Sequence, residues 1–215
     1  MSDQPYLPAV REQYEAYPYP PRDPADERRR LRHVVSGDLL LINHHCFGGV
    51  KDFRKGFRAL VAGGGTGDTA IFLAEKLRHY DATLVYLDMS AAARQVAEAR
   101  AEVRGLTNIT WVTASIMELP TLGLGKFDYI ESCGVLHHLE STEAGLKALK
   151  AVLKDDGAIF RLCGSGEGAG IFPAKADKAR DRVSVTQRWL QNIGKGGAGH
   201  LNLATMSMMP GMVCN

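Results

Sequence analysis

The chain has 215 residues, 26 Lys and Arg against 24 Asp and Glu, and a formal net charge of +2. That length supports one domain with a full core and a modest appendage, and the near balance of charge gives no argument for a nucleic-acid partner. There is no run of about 18 apolar residues, the stretch MSDQPYLPAVREQYE lacks an apolar signal core, and Cys46, Cys133, Cys163 and Cys214 form no CxxC pair, so the expectation is a cytoplasmic protein with reduced thiols and no membrane span.

Residues 1–56 read as an irregular N-terminal strap or lid. YEAYPYPPRDP, with four prolines and three tyrosines, favours extended or polyproline backbone over helix. ADERRRLRHVV can be helical, with ERRRLR as a solvated face, and HHCFGGVKDFRKGF leads into the next zone. Residues 57–163 alternate strand and helix signals. FRALVA is a first strand, and DTAIFLAEKLRHY a helix with Ile71, Ala74, Leu77 and Tyr80 near one face. TLVYL is a second strand. SAAARQVAEARAEVRG is an alanine-rich helix with Ser90 as N-cap and Gly105 as its stop. NITWVT and KFDYIESC are strands three and four, and STEAGLKALKAVLK is a helix opened by Ser141. DDG turns into AIFRLC, the fifth strand. This alternation predicts a doubly wound, mostly parallel α/β sheet. Residues 164–215 form an irregular extension. GSGEGAG is flexible, AKADKARDRVSVTQRWLQNI can be a helix, and no convincing strand follows.

The chemistry centres on the turn after the first strand, with glycines at positions 63, 64, 65 and 67. A dinucleotide fingerprint GxGxxG needs a small residue at its third site. Counted from Gly63 and Gly65, that site is Asp68, a carboxylate where the helix begins. A phosphate there meets like charge, whereas an ammonium group is attracted. Asp68 therefore disfavours a nicotinamide oxidoreductase. Twenty residues on, Asp88 ends the second strand, where a carboxylate can accept from both hydroxyls of a ribose. The ligand implied has an adenosine ribose, no pyrophosphate and a positive end, a description that S-adenosylmethionine fits.

The ordered segments LVAGGGTGD, VYLDMS, WVTASIMELP, FDYIESCGVLHHLES and LKDDGAIF resemble the five motif regions of a class I S-adenosylmethionine-dependent methyltransferase, over about half the chain. The resemblance implies a Rossmann-like fold over residues 57–163. It implies that Gly63, Gly65 and Gly67, with Gly64 in the same turn, let the backbone approach the methionine moiety. Asp68 would lie near its amino group, Asp88 on the ribose, and Met89 on the adenine. The acid that often accepts from the adenine amino group falls on Ser115, with Ile116 as its apolar neighbour. Such domains normally finish with two further strands, the last antiparallel. Residues 164–215 show no clear pair, so the C-terminal strand pair is expected to be missing or altered. The same tail motivates the alternative of a degenerate or truncated domain that binds a ligand or partner without turnover.

Further residues are read both ways. His137 and His138 follow strand four. His137 is a candidate general base, against packing and capping roles for the pair. Glu131 either lines a substrate pocket or is a strand-end carboxylate. Tyr14, Tyr17 and Tyr19 either close over the sulfonium or pack as an outer strap. His44, His45 and Cys46 suggest a metal, but adjacent histidines diverge on regular backbone and no second cluster has ligand spacing, so none is expected. The expected activity is methyl transfer by in-line displacement to an acceptor, most simply a small molecule.

Overall fold

The computed structural model of the chain describes residues 8–162 and 170–173. Six strands form one sheet: β1 Lys55–Ala62, β2 Asp81–Asp88, β3 Ile109–Thr113, β4 Phe127–Cys133, β5 Leu153–Leu162 and β6 Gly170–Pro173. Their order is β3-β2-β1-β4-β5-β6. The first five run parallel, and β6 pairs antiparallel with β5. The helices are α1 Pro8–Ala16, α2 Leu39–Phe47, α3 Asp68–Leu77, α4 Ala91–Arg104 and α5 Thr142–Ala151. This is the doubly wound α/β sheet that the alternation of elements predicts. No helix among the described residues is long and apolar enough to cross a membrane.

The strands are continuous apolar runs because helices cover both faces of a parallel sheet. On one face Ala59, Val61, Leu84, Tyr86 and Tyr129 pack with Ile42 of α2, Leu73 and Leu77 of α3 and Ala97 of α4. On the other, Leu60, Val85, Leu87 and Ile130 pack with Leu119, Leu136 and Leu149. α4 is bounded as its sequence predicts. The Ser90 hydroxyl accepts from the Ala93 N–H at 3.0 Å, and Gly105 closes the helix in the left-handed region at φ 62°, where a side chain would be strained.

Four local readings change. β5 begins at Leu153 rather than Ala158, so the DDG turn lies inside the ladder. The register jumps there from Phe127 opposite Leu153 to Tyr129 opposite Ala158, and the turn residues make an irregularity in a strand already held by its neighbour. α2 falls where no helix is expected, although Asp38 caps it through bonds from the Leu40 and Leu41 N–H groups and Gly48 ends it at φ 60°. ADERRRLRHVV is helical over the 3-10 turn Pro24–Arg28 and, at its last residue, in the 3-10 turn Val35–Gly37, and Glu27, read as part of a solvated face, is buried. β6 is a strand in a region expected to have none. The rest of the C-terminal extension, with its helix expected over residues 174–193 and with Cys163 and Cys214, lies outside the described residues.

β1 and β4 lie side by side at the centre, where the direction of winding reverses. In such sheets the crevice beyond the carboxyl ends of the strands at this point is the ligand site. Ala62, Asp88 and Cys133 end the strands there.

Candidate functional site

β1 runs directly into the glycine turn. The N–H groups of Gly63 and Gly64 both donate to the Leu87 carbonyl, at 2.7 and 3.1 Å, which pins the turn to the end of β2. Gly65 and Gly67 have φ of 51° and 96°, a region that side chains rarely adopt. Space also demands glycine. A Cβ on Gly65 would lie 2.6 Å from the Tyr19 carbonyl oxygen, and one on Gly67 2.8 Å from the Ala97 Cβ. The turn is thus glycine-rich partly because the N-terminal strap lies against it. The Thr66 N–H donates to the Tyr19 carbonyl at 3.2 Å, and its hydroxyl donates to the Pro20 carbonyl at 2.6 Å.

Asp88 is buried at the tip of β2. Its Oδ2 accepts from the Gly65 N–H at 2.7 Å and its Oδ1 from the Ser90 N–H at 2.9 Å. A carboxylate has about four acceptor sites, so both oxygens keep capacity for further donors. Burial raises this carboxyl against the pull of the backbone N–H groups, with Glu15 adding to the rise. Beside it, the Ser90 hydroxyl lies 2.7 Å from Glu15 Oε2 and 3.2 Å from the Tyr14 carbonyl, which seats the end of α1 against the second motif. Met89, between the two, is half-buried.

The third motif joins this edge through the Ala114 N–H, which donates to the Asp88 carbonyl at 3.0 Å. Ser115 follows, buried, and caps the 3-10 turn Ile116–Thr121. Its hydroxyl accepts from the Met117 N–H at 3.2 Å, and its own N–H donates to Glu118 Oε2 at 2.6 Å, a capping box. Ile116 is a core residue.

The structure brings Tyr14 and His138 together. The Tyr14 hydroxyl and His138 Nε2 lie 3.0 Å apart in a hydrogen bond whose donor is set by the imidazole tautomer. Burial, helped by the neighbouring His137, pushes the His138 imidazole down to about 4. It is neutral at pH 7. His137 is exposed, its ring 3.9 Å from that of His138, and burial lowers its pKa as well. Tyr17 and Tyr19 are 73% and 48% exposed, so of the three tyrosines only Tyr14 is half-buried. Glu131 is buried. Its Oε1 accepts from the hydroxyls of Ser36 at 3.2 Å and Thr69 at 3.3 Å, and the Tyr129 hydroxyl closes the same pocket through the Ser36 carbonyl at 2.6 Å. Burial pushes Glu131 up to about 7, against these hydrogen bonds.

Asp68 differs most from its expected surroundings. Arg22 of the strap forks onto it, with Nε 2.9 Å from Oδ1 and Nη2 2.5 Å from Oδ2. Arg100 of α4 reaches it from the other side at 2.8 Å. Burial alone would raise this carboxyl, but the Arg22 hydrogen bonds and the charges of Arg100 and Arg22 outweigh it and hold it below its ordinary value. Arg100, 1% exposed, also donates to the Thr66 carbonyl at 2.6 Å and to Glu27 at 2.6 and 2.9 Å, and Arg104 pairs with the same Glu27. Sequence reading missed this network. One sign of it was available: Arg100 falls on the buried stripe of α4 with Ala93, Ala97 and Ala101, where a charge needs partners.

Two clefts, of about 360 and 310 Å3, open elsewhere. One is lined by residues such as Lys51, Phe53 and Tyr80, the other by Phe57, Arg58 and Thr110. They contain none of the candidate site residues and lie toward the amino ends of β1 and β2. The cluster at the carboxyl ends has the polar chemistry, and it is the better candidate.

A family model described as a methyltransferase domain matches residues 60–159, the span that holds the glycine turn, Asp88, Ser115 and β4. An uncharacterized protein from a Synechococcus strain is 32% identical over 152 residues, which are 70% of this chain and 35% of that one. The chain therefore spans about a third of the length of this relative. Among solved structures, an arsenic(III) S-adenosylmethionine methyltransferase from Chlamydomonas reinhardtii is 26% identical, covering 52% of this chain and 40% of its own, with a TM-score of 0.45. Coclaurine N-methyltransferase, solved with N-methylheliamine and SAH, is 20% identical, covering 57% and 33%, with a TM-score of 0.46.

Proposed function

We propose a function from one premise: the chain belongs to the methyltransferase-domain family, through residues 60–159. It binds S-adenosylmethionine at the carboxyl edge of β1, β2 and β4 and passes the methyl group to an acceptor, most simply a small molecule. The observation that carries this reading is Asp88, a buried carboxylate at the sheet's switch point, with each oxygen held by one backbone N–H and free to accept again.

The residues fit the adenosine half of the cofactor. Asp88 would receive the two ribose hydroxyls, one on each oxygen. Met89 would pack on the adenine, and Ser115, oriented by its capping box, would take the adenine amino group with the core residue Ile116 beneath it. Gly63, Gly64, Gly65 and Gly67 would face the methionine half with backbone alone. The residues fit its ammonium group less well, since the Asp68 carboxylate is already shared by two guanidinium groups.

S-adenosylmethionine supplies an electrophilic methyl on a charged sulfur. The chain's part is to align the acceptor and keep water away. Tyr14 is placed for this, half-buried between the Asp88 edge and His138, its hydroxyl fixed by the imidazole. Because His138 Nε2 is tied to that hydroxyl, His138 serves as a support for Tyr14 rather than as a base. His137 is neutral at pH 7 and is the group at this edge able to take a proton from an acceptor. Glu131, enclosed by Ser36 and Thr69, supports the turn at Val35–Gly37 and the start of α3.

Calorimetry with S-adenosylhomocysteine tests the reading, with binding in the micromolar to millimolar range expected and no heat or thermal shift overturning it. Asp88→Ala is expected to weaken that binding by about 1–3 kcal/mol through lost charge-assisted bonds. Unchanged affinity in this variant would remove the ribose role from Asp88.

A further inference from the structure

Asp68 sits at the first position of α3, beside the turn that, on the reading above, meets the methionine half of the cofactor. As a bare carboxylate it would attract the ammonium group. It is not bare. Arg22 and Arg100 both bond to it, and the helix N-terminus adds partial positive charge. Arg100 has four of its five N–H groups on Glu27, Thr66 and Asp68 and is 1% exposed, so it is closed to a ligand. Arg22 is not. Its Nε and one Nη2 proton go to Asp68 and one Nη1 proton to the Pro21 carbonyl. Of five N–H groups on a guanidinium, two keep no acceptor among the described residues. The side chain is 21% exposed, and the strap that carries it is tied to the glycine turn through Tyr19, Pro20 and Thr66.

We propose that Asp68 is not the receptor of the cofactor's ammonium group but the anchor that holds Arg22 beside the glycine turn, and that Arg22 there binds the cofactor's carboxylate. The local charge has been inverted. One carboxylate faces two guanidinium groups and a helix N-terminus, so an anion is favoured and a cation repelled. The strap thereby becomes part of the binding site, and Arg22 determines which end of the amino-acid moiety is recognised.

This rests on the proposed S-adenosylmethionine site, and ligand editing separates the two. Calorimetry on the wild-type chain would compare S-adenosylhomocysteine with its decarboxylated analogue, which keeps the amine, and its deaminated analogue, which keeps the carboxylate. Loss of the carboxylate is expected to weaken binding about tenfold or more, and by more than loss of the amine. Arg22→Met is expected to make the two losses equal, and Arg22→Lys to retain part of the preference. Asp68→Asn is expected not to penalise the amine selectively. A larger loss on deamination in the wild-type chain, or a carboxylate preference that survives Arg22→Met, would overturn the assignment of Arg22 while leaving the cofactor site intact. Failure of S-adenosylhomocysteine to bind at all would overturn both.

Discussion

Replacement of Arg100 by methionine is expected to destabilise the fold by about 3–5 kcal/mol, the cost of breaking a buried ionic network by removing one member. Arg100 is 1% exposed and makes four hydrogen bonds at once through its guanidinium, two to Glu27, one to the Thr66 carbonyl and one to Asp68. Methionine fills much of the same volume, so the loss is chiefly electrostatic. Glu27 keeps Arg104, Asp68 keeps Arg22, and the Thr66 carbonyl loses a donor. Against a typical total of about 5–15 kcal/mol, such a loss is a large part of the whole. Urea unfolding would measure it, and a loss under about 1 kcal/mol would show that the network is not a structural tie. The double variant Glu27→Gln with Arg100→Met should be less damaged than the sum of the singles, because both changes remove the same buried ion pair. Proteolysis of the strap near Arg28–Arg30, which is exposed, should quicken in step with the loss, since the network is what ties Pro24–Arg28 to α4.

The sheet was legible in the sequence because its signals are local. Runs such as ALVA and FDYI announce strands covered on both sides, and Ser90 and Gly105 mark the ends of α4 by chemistry confined to a few residues. Asp88 was legible for the same reason, as a charged residue directly after an apolar strand. What the sequence hid depends on long-range pairing. Glu27 lies in a basic run that reads as solvated, and the approach of Arg100, 73 residues away, and of Arg104 makes its burial possible. Asp68 read as an unpaired carboxylate for the same reason, since Arg22 lies in a proline-rich strap with no periodicity to place it. α2 was not legible although its caps, Asp38 and Gly48, are local, because LLLINHHCF is apolar with no clear polar face. The DDG segment shows the converse, a strong turn signal overridden once β4 supplies the ladder for β5.

Glu131 sets the pH response of the fold, in the direction opposite to that of most carboxylates. Its pKa rises from 4.5 to about 7 on folding, chiefly through burial. Between those values the folded state holds a proton that the unfolded state has released, so stability falls as pH rises through this window and levels above about pH 7. Integrated from about pH 5 to pH 8, this group alone withdraws about 2–3 kcal/mol. Asp68 and Asp128, whose pKa values are lowered by arginine and by lysine partners respectively against burial, work the other way, but their stabilisation is lost only at lower pH, below the ordinary carboxylate range. Glu131→Gln keeps the shape and can still accept from Ser36 and Thr69 while removing the titration. Chemical denaturation of both proteins across this range should show the variant gaining on the wild type by about 2–3 kcal/mol as pH rises. Parallel stability profiles would mean that the Glu131 carboxyl ionises in the folded chain as it does in water. The pocket formed by Ser36, Thr69 and Tyr129 would then be open to solvent, and the floor beneath the start of α3, on which Asp68 and Arg22 are placed, would be wet rather than dry.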